Sequence, residues 1–261
     1  MNSIEDISIL IVTHNHQDYI GKLIDSLSKN NYFNVFICDA SSNDDTLKIL
    51  KKSPFENKVL SKSTLESYSK NNNDLIRHFG LNTKYYLLLN PDTFFDEDFI
   101  EPLFNVMESN PTIGISAPLL KYPDGEIQIT WKKFPNFFTV LKKRVGFVKT
   151  KSQSQMDGPN IDWCLGACML ISKNLLKKNC VLLDERYRLY CEDIDICFEA
   201  HSKGYQVIGV QNSVLFHHLN EASSKMIFSR YNYWNITSII KFILKWNFKY
   251  WNKLKNQNMT S

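Results

Sequence analysis

Tyr85-Tyr86-Leu87-Leu88-Leu89-Asn90-Pro91-Asp92 is the stretch that decides the fold of this chain. Its run of bulky apolar residues predicts a strand buried on both faces, as in a parallel sheet covered by helices. Pro91 ends that strand because it has no N–H for a sheet hydrogen bond. Asn90 and Asp92 then follow the carboxyl end of the strand, where ligands bind in open α/β sheets. The same residues are also ordinary turn formers, so the stretch by itself leaves a plain turn open.

The overall composition is that of a globular protein. The chain has 261 residues, 43% of them hydrophobic and 22% charged, and is long enough to bury a sizeable core. Its formal net charge of +4 is too small to indicate a nucleic-acid partner, so we expect none. The cysteines form no Cys-x-x-Cys pair, and Cys164 and Cys168 lie in an apolar run, which favours buried free thiols. Neither a secretory signal nor a spanning apolar run is evident, so we expect a cytoplasmic protein.

Strands and helices alternate in the first half of the chain. Residues 7–12 and 35–38 are short apolar runs typical of buried strands, and apolar residues at helical spacing follow each of them. This alternation predicts the α/β class: an open, mostly parallel, Rossmann-like sheet with helices on both faces. Short polar residues follow the first two strands as well as the third: Thr13, Asn15, Asp39 and Ser41. Because parallel strands end at one edge of the sheet, this coincidence favours a nucleotide cleft over unrelated turns.

The second half is less regular. Strands are predicted at 114–120, 126–130, 205–210 and 213–216, a buried apolar segment at 163–172, and helix over 224–255. Residues 132–151 combine lysines and arginine with phenylalanines and have no convincing period. A long loop of this kind inside a compact domain is usually functional or disordered. No repeat or linker divides the chain, so we expect a single domain over residues 1–261.

Three carboxylates cluster where a helix is predicted to begin: Glu192, Asp193 and Asp195. They could simply be first-turn acids that suit the helix dipole. In the functional interpretation one of them is a general base, which the helix N-terminus keeps ionised. Residues at i and i+2 point in different directions on a helix, so Asp193 and Asp195 cannot both face one substrate. We take Asp193, nearer the cleft, as the candidate base and expect Asp195 to bond the backbone or a basic side chain.

Two adjacent histidines, His217 and His218, follow the last predicted strand. A lone histidine is more often structural, but adjacent ones leaving a strand usually direct one ring inward. That ring and Asp92 would together suit a divalent cation, with Mn²⁺ a better match for imidazole than Mg²⁺. Either histidine could be the ligand. The chain contains no Gly-x-Gly-x-x-Gly, no phosphate-binding P-loop and no Gly-x-Ser-x-Gly elbow.

Taken together, these motifs resemble the family 2 glycosyltransferases of the rhamnosyltransferase-like branch, over about residues 7–246. Any one of them is weak, whereas their common order is specific. The stretches that carry the resemblance are Ile-Val-Thr-His-Asn (11–15), Cys-Asp-Ala-Ser-Ser-Asn-Asp-Asp-Thr (38–46), Leu-Leu-Leu-Asn-Pro-Asp-Thr (87–93), Tyr-Pro-Asp-Gly-Glu-Ile-Gln (122–128), Asp-Trp-Cys-Leu-Gly-Ala-Cys-Met-Leu (162–170), Leu-Asp-Glu-Arg-Tyr (183–187), Glu-Asp-Ile-Asp-Ile-Cys-Phe-Glu-Ala-His-Ser-Lys-Gly (192–204) and the two histidines.

The resemblance implies a glycosyltransferase A fold with a C-terminal helical segment. Its nucleotide-sugar-binding half would cover about residues 7–130, its acceptor and catalytic half about 160–220, and the helical segment about 223–255. It also implies an inverting, metal-dependent transfer of a sugar, rhamnose from dTDP-rhamnose, to a saccharide. The acceptor would belong to a cell-surface polysaccharide or a lipid-linked glycan of the cell envelope.

Site roles follow from the same resemblance, on the matching positions of this sequence. Asp39 would bind the nucleotide base, and Asn90-Pro91-Asp92 would replace the usual Asp-x-Asp, with Asp92 holding the metal and the diphosphate. Gly166 and Ala167 would line the sugar pocket, and Asp193 would deprotonate the acceptor hydroxyl. The chain departs from the family pattern at residues 67–73, Ser-Tyr-Ser-Lys-Asn-Asn-Asn, where a Gly- and Asn-rich segment is usual. It also departs at Glu199 or its neighbours, where the family usually has Arg.

Two other protein classes are alternatives to a glycosyltransferase. A sugar nucleotidyltransferase would need a basic phosphate loop after the first strand, for which His14 and Lys22 are poor substitutes. A non-catalytic sugar-binding relative would not need Asp92, Asp193 and a terminal histidine together.

Residues 132–151 and the Trp- and Lys-rich C-terminal helix suggest peripheral contact with an anionic membrane at its inner face. An ordinary packed helix is the alternative.

Overall fold

The structure is a computed structural model that describes residues 5–135, 159–218 and 230–258. The first half alternates strands and helices as predicted: β1 (Ile7–Thr13), α1 (Ile20–Lys29), β2 (Val35–Ala40), α2 (Thr46–Leu50), β3 (Val59–Lys62), α3 (Tyr68–His78) and β4 (Tyr85–Leu89). The second half contains β5 (Thr93–Phe94), α4 (Ile100–Ser109), β6 (Ile113–Lys121), β7 (Trp131–Lys132), β8 (Trp163–Cys164), β9 (Cys168–Ser172), α5 (Glu192–Ser202), β10 (Gln206–His217) and α6 (Arg230–Asn258).

Eight strands form the main sheet, in the order β3-β2-β1-β4-β9-β6-β10-β5. β3, β2, β1 and β4 are parallel to one another, and β6 is parallel to β10. β9 is antiparallel to both β4 and β6, and β5 is antiparallel to β10. Because β9 opposes both of its neighbours, β4 and β6 run in the same direction. The predicted α/β class and mostly parallel sheet are therefore confirmed.

The central strand β4 is buried on both faces, as its sequence predicts. Its alternate side chains belong to two different core clusters. Tyr86 and Leu88 pack with α3 and α5 on one face, and Leu87 and Leu89 pack with α1 and α4 on the other. Full burial of such a side chain contributes about 1.5–3 kcal/mol relative to exposure. Helices therefore cover both faces of the sheet, which explains the unbroken apolar run.

The register places the ends of three strands at one edge. Thr13, the last residue of β1, pairs with Asp39 in β2, and Leu10 pairs with Leu88 in β4. Since these strands are parallel, the loops after β1, β2 and β4 leave the sheet on the same side. The polar residues that follow each strand are thus collected at one edge, as the sequence predicts.

Several predicted elements differ in the structure. The strand predicted at 126–130 is wrong: the segment makes only an isolated bridge to β6, between Ile127 and Lys121, and the Gln128 side chain bonds the end of β10. The strands predicted at 205–210 and 213–216 are one strand, β10, with a register shift between Val210 and Val214. The apolar segment 163–172 is two strands, β8 and β9, interrupted by Leu165–Ala167, which turn into a pocket.

The C-terminal helix is present as α6, and residues 219–229 before it lie outside the described residues. Most of the basic, Phe-rich loop, residues 136–151, also lies outside them. None of the described helices combines the length and apolar character needed to cross a bilayer. All cysteines are free, and all but Cys180 are buried, which confirms the expected thiols.

Candidate active site

A cavity of about 730 Å³ opens at the carboxyl ends of β1, β2 and β4. Its far walls are the segment before α5, the start of α5 itself, and α6. Among the predicted site residues, it is lined by Thr13, Asn90, Asp92, Gly166, Ala167, Asp193 and His217. The other predicted site residues do not line it: Asn15, Asp39, Ser41 and His218. Asp92 and Asp193, which are 101 positions apart in the sequence, therefore open onto one cavity.

Asp92 and His217 meet at the sheet edge. His217 Nε2 lies 3.3 Å from Asp92 Oδ1, and both side chains are almost fully buried. Burial alone would raise the pKa of the Asp92 carboxyl, but the bond to His217, the neighbouring charges and a backbone hydrogen bond together hold that pKa below its usual value. Asp92 is therefore ionised at neutral pH, as a carboxylate ligand must be.

Gln128 determines which nitrogen of His217 carries the proton. Its amide Nε2 donates to the His217 carbonyl oxygen at 2.6 Å, so its Oε1 lies against His217 Nδ1, at 2.9 Å. An amide oxygen accepts only, so Nδ1 carries a proton and Nε2 faces Asp92. Neutral His217 would then place a lone pair against a carboxylate, and a proton or a metal cation between the two atoms relieves that contact. The carboxylate and the imidazole, with Gln128 behind it, fit a divalent cation such as Mn²⁺.

Two protein ligands are fewer than such a cation needs. Within residues 5–135, 159–218 and 230–258, no three His, Cys, Asp or Glu side chains converge to hold a metal. The nearby His16 bonds within its own loop, since its Nδ1 accepts from His14 N at 3.1 Å. Burial lowers the pKa of His16 and keeps it neutral. A metal at Asp92 and His217 would therefore take its other ligands from solvent or substrate.

His218 is directed elsewhere. Its ring packs against Tyr19 and Phe94, with centroid distances of 4.9 and 5.3 Å. Its backbone N–H donates to the Asp92 carbonyl oxygen at 3.0 Å, which ties the end of β10 to the loop after β4. Of the two histidines left open by the sequence, the geometry favours His217 as the ligand and gives His218 a packing position.

Asp39 and its neighbours lie beside the cavity. Asp39 is 1% exposed; its Oδ2 accepts from Ser42 N at 3.3 Å, and its Oδ1 has no partner. A buried acceptor without a donor is costly, so Oδ1 suits a donor supplied by a ligand. Asn15 instead joins the β1 and β2 loops, since its Oδ1 accepts from Asn43 N at 2.8 Å. Ser41 adopts a positive φ of 62° and donates to Ser63 O, so both residues shape the loops rather than face the cavity.

Asp193 packs directly against Gly166 in the cavity wall. Its Oδ2 accepts from Gly166 N at 3.2 Å, and its Oδ1 accepts from Ile194 N at 2.8 Å. The sequence predicts that the helix N-terminus keeps this carboxylate ionised. Burial has the larger effect, however, and raises its pKa, while the two backbone bonds and Lys132 lower it. A raised pKa makes the carboxylate a stronger base, which suits the predicted role.

Glu192 lines the same cavity and was not chosen from the sequence. It is 9% exposed, and its Oε2 has no partner. Burial, together with the charge of Asp193, raises its pKa to about 8, so it is largely protonated at neutral pH. Tyr190 and Cys191 before it both have positive φ, 71° and 69°. Non-Gly residues rarely adopt this backbone, and such strain is concentrated at functional sites.

Asp195 points into the protein, as expected from its spacing. Lys245 Nζ donates to its Oδ2 at 2.6 Å, and Trp246 Nε1 and Tyr187 Oη donate to its Oδ1. Both Lys245 and Trp246 belong to α6. Asp195, which the sequence does not predict to be the base, therefore connects α6 to α5. This connection also holds α6 in place as one wall of the cavity.

Several cavity residues were not foreseen from the sequence: His16, Tyr68, Asn71, Lys132, Trp163, Arg188 and Trp234. The asparagines of α3 offered a signal, because polar residues on an otherwise buried helix face require partners. Asn73 shows this, since its Oδ1 accepts from Leu182 N and Leu183 N at 2.9 and 3.0 Å. Asn71 lines the cavity with an unpartnered Oδ1. Arg188 and Trp234 carry no comparable signal, because only tertiary packing brings α6 to the cavity.

Comparison with known proteins agrees with this geometry. The family model described as glycosyl transferase family 2 matches residues 8–180, which is more than half of the chain. The chain belongs to glycosyl transferase family 2. Family 2 membership makes it a nucleotide-sugar glycosyltransferase, as predicted.

Two relatives of the chain are rhamnosyltransferases. The chain is 24% identical over 250 residues to rhamnosyltransferase WbbL of Escherichia coli K12, covering 91% of this chain and 92% of that protein. It is 23% identical over 144 residues to the N-acetylglucosaminyl-diphospho-decaprenol L-rhamnosyltransferase of Mycobacterium tuberculosis H37Rv, covering 51% of this chain and 47% of that protein. These relatives agree with the rhamnosyltransferase-like branch that the motifs predict.

The glycosyltransferase A fold is confirmed by solved structures. The crystal structure of GalNAc-T7 with UDP, GalNAc and Mn²⁺ matches with a TM-score of 0.68 and 17% sequence identity, over 95% of this chain. The chain spans about half of that protein, 49%. Identity at this level shows the fold alone.

Proposed function

We propose that this chain is an inverting rhamnosyltransferase that moves rhamnose from dTDP-rhamnose to a saccharide carried on a lipid diphosphate. The observation that carries the proposal is that Asp92 and Asp193 line one cavity. Sugar transfer needs an anchor for the diphosphate and a base for the acceptor within one pocket. The similarity to two rhamnosyltransferases supports the donor. The similarity to the mycobacterial N-acetylglucosaminyl-diphospho-decaprenol L-rhamnosyltransferase supports a diphospho-lipid acceptor of the cell envelope.

On the donor side, Asp92 and His217 would hold Mn²⁺ or Mg²⁺, whose positive charge stabilises the departing diphosphate. Gln128 keeps Nε2 of His217 directed at that position. The unpartnered Oδ1 of Asp39 would accept a hydrogen bond from the nucleotide, with Thr13 on the adjoining strand. Asn90 connects this side to the sugar pocket, since its N–H donates to Ala167 O at 2.8 Å.

On the acceptor side, Asp193 would take the proton of the attacking hydroxyl. The acceptor oxygen bonds to the anomeric carbon as the bond from that carbon to the diphosphate breaks, and the proton passes to Asp193. One displacement on the face opposite the leaving group inverts the carbon and needs no covalent enzyme intermediate. The backbone N–H groups of Gly166 and Ile194 hold the carboxylate in place during this step.

Replacing the base tests the proposal. The Asp193→Asn variant should lose transfer by about 10²–10⁴-fold, because general-base assistance is removed, while dTDP binding with Mn²⁺ is retained. Transfer is followed by product analysis with dTDP-rhamnose and N-acetylglucosaminyl-diphospho-lipid, and nucleotide binding by thermal shift. Glu185→Gln, an exposed acidic position outside the cavity, serves as the control and should keep full activity. Transfer by Asp193→Asn at the control rate would remove Asp193 from the role.

We also infer that α6 meets an anionic membrane surface. Tyr233, Ile240 and Leu244 are 66%, 44% and 74% exposed, and their spacing places them on one face of the helix. The helix sequence has no acidic residue; of its described basic side chains, Lys241 is exposed and Lys245 is held by Asp184 and Asp195. Apolar side chains beside basic ones suit the headgroup region of an anionic leaflet. Such contact would bring the cavity to a lipid-linked acceptor.

A further inference from the structure

Arg188 and Trp234 form a pair on the cavity wall that the segment before α5 and helix α6 build. The Arg188 guanidinium carbon lies 4.9 Å from the centroid of the Trp234 ring, and Nη2 donates to Leu65 O at 3.2 Å. All three residues line the cavity. They come from the segment before α5, from α6 and from the loop after β3, so the pair exists only in the folded protein.

The hydrogen-bonding capacity of Arg188 is largely unused. A guanidinium has five N–H donors, and within the described residues only the bond to Leu65 is formed. No acidic side chain of the described residues lies within ion-pairing distance of Arg188, whereas the other arginines near this wall, Arg77 and Arg186, are both paired. Stacking on Trp234 fixes the guanidinium without using an N–H. A fixed cation with unused, fork-shaped donors is a geometry that suits phosphate.

The acidic side chains that line the cavity do not form ion pairs with Arg188. Glu66 is committed to Lys62 and Lys70. Asp193 is bonded by Gly166 and Ile194, and Glu192 is mostly protonated because burial raises its pKa. An anion brought by a substrate would therefore find Arg188 as a cation of the cavity wall that has no ion-pair partner among the described residues.

Two exposed apolar side chains belong to the segments that hold the pair. Leu65 is 36% exposed and Tyr233, next to Trp234, is 66% exposed. A phosphate at Arg188 that carries a hydrocarbon chain would place that chain against these side chains. A phosphate on a free polysaccharide would gain nothing from them.

We propose that Arg188, held by Trp234, binds the diphosphate of a lipid-diphosphate acceptor, with the lipid leaving along Leu65 and Tyr233. The inference rests on the proposed sugar transfer and names the part of the acceptor that this wall recognises. Arg188 acts as a specificity residue: it selects acceptors that carry phosphate next to the accepting sugar. It takes no part in the proton transfer at Asp193.

A binding measurement tests the site without requiring transfer. Farnesyl diphosphate is titrated calorimetrically into protein saturated with dTDP and Mn²⁺, so that the donor site is filled. We expect binding to the wild type, about 10- to 100-fold weaker binding to Arg188→Gln, and an intermediate loss for Arg188→Lys, which keeps the charge and loses the fork. Arg186→Gln, an exposed arginine two residues away, should bind as the wild type does. Loss of wild-type binding in the presence of dTDP would overturn the inference, since the diphosphate would then occupy the donor site.

A kinetic comparison separates this inference from the proposed function. Transfer from dTDP-rhamnose is compared for N-acetylglucosaminyl-diphospho-lipid and for N-acetylglucosamine on a neutral alkyl chain. Arg188→Gln should raise KM for the diphosphate acceptor about tenfold or more, and leave KM for the neutral acceptor, KM for the donor and kcat nearly unchanged. Trp234→Phe should give a smaller shift in the same direction.

The outcomes are distinct. Equal KM values for wild type and Arg188→Gln on the diphosphate acceptor would overturn the inference while leaving the transfer intact. A rise in donor KM instead would place Arg188 in the donor site, which also overturns it. Absence of rhamnosyl transfer by the wild type on both acceptors would contradict the proposed function, and the calorimetric result would then decide the diphosphate site by itself.

Discussion

Gly166 shows how closely the two sides of the cavity approach. A Cβ on Gly166 would lie 3.2 Å from the Cβ of Asp193, closer than nearly all real contacts. The residue is therefore small because the candidate base packs directly against it, and its N–H holds that carboxylate. The resemblance to family 2 predicts a cavity-lining Gly-Ala pair, and the structure adds the steric reason for the glycine.

A methyl group at this position should disturb catalysis more than folding. Gly166→Ala is expected to lower kcat by about tenfold, because displacing a catalytic group by a fraction of an ångström misaligns the proton transfer. Steady-state kinetics measures the loss. The control is Gly21→Ala in α1, where the added Cβ meets no atom within 4 Å. That control should keep activity and gain about 0.5–1 kcal/mol of stability, so equal kcat values in both variants would contradict the prediction.

Glu192 offers a test based on pH. Burial, together with the Asp193 charge, raises its folded pKa from 4.5 to about 8. A raised carboxyl pKa means that the folded state binds the proton more tightly than the unfolded state. The contribution of protonated Glu192 to the free energy of unfolding is therefore fully present below the unfolded pKa of 4.5 and is lost as pH rises towards 8. Glu192→Gln removes this dependence and should raise Tm by several degrees at about pH 9 and by little at about pH 5.

For Glu66 we expect the opposite dependence of stability on pH. Bonds from Lys62 hold the pKa of Glu66 below its usual value, so its contribution to stability is present above that value and lost in acid. Glu66→Gln should therefore leave Tm unchanged or lower it at about pH 9, as measured by circular dichroism. A gain in Tm at that pH for both variants would show that burial of Glu192 is not the cause.

At the scale of elements, one buried ion pair fastens α6 onto α5. Lys245 donates to Asp195 at 2.6 Å and to Asp184 at 2.7 Å, and all three side chains are largely buried. Asp195 is the residue that the sequence analysis excluded from catalysis, and its contacts explain why it is acidic. Since α6 also brings Trp234 to the cavity, the same pair supports the substrate site.

Removing the cation should loosen this helix. Lys245→Met is expected to lower the free energy of unfolding by about 3–5 kcal/mol, because Asp195 is left buried without a counter-charge. Denaturant unfolding measures the loss. Lys241→Met, one turn earlier, is the control: Lys241 is exposed and bonds only the Arg186 carbonyl oxygen, so a change within about 0.5 kcal/mol is expected. Equal losses in the two variants would show that the buried pair does not hold α6.

At the scale of the whole molecule, charge and apolar surface are concentrated on α6. The exposed face of Tyr233, Ile240 and Leu244 lies opposite the face that packs on the core through Ser238 and Phe242. A net charge of +4 adds a general attraction to anionic lipid. An orientation with this face on a membrane would also keep Trp234, in the same helix, and its partner Arg188 near the lipid.

Vesicle flotation tests this arrangement. The protein should float with phosphatidylglycerol vesicles and remain unbound to phosphatidylcholine vesicles, and added salt should release it. Ile240→Asp combined with Leu244→Asp should abolish flotation, because two charges enter the apolar face, while thermal stability is kept. The control is Phe33→Asp, at a 54% exposed apolar residue in the loop between α1 and β2, which should float as the wild type does. Flotation of the double variant with wild-type efficiency would contradict membrane contact through α6.

The sequence by itself determined the sheet, the family and the edge where the chemistry lies. Local patterns suffice for these features because a strand buried on both faces must be apolar throughout, and parallel strands must end at a common edge. Asp92, Gly166, Asp193 and one of the two terminal histidines could therefore be named as one site. The predicted strand at 126–130 failed because alternation in sequence does not show how far a pairing extends: the Gln128 N–H donates to Leu120 O in β6, but its side chain is bonded to His217 and the pairing stops at one bridge.

Only the tertiary structure decided between His217 and His218, because the choice depends on which ring faces Asp92 and which packs on Tyr19. It also decided that burial, rather than the helix terminus, dominates the pKa of Asp193, since burial depends on every element around the cavity. The Arg188–Trp234 pair likewise requires α6 to dock on α5, through contacts such as Lys245 to Asp195. No local sequence pattern predicts a contact between residues that are far apart in the sequence, because only the fold brings them together.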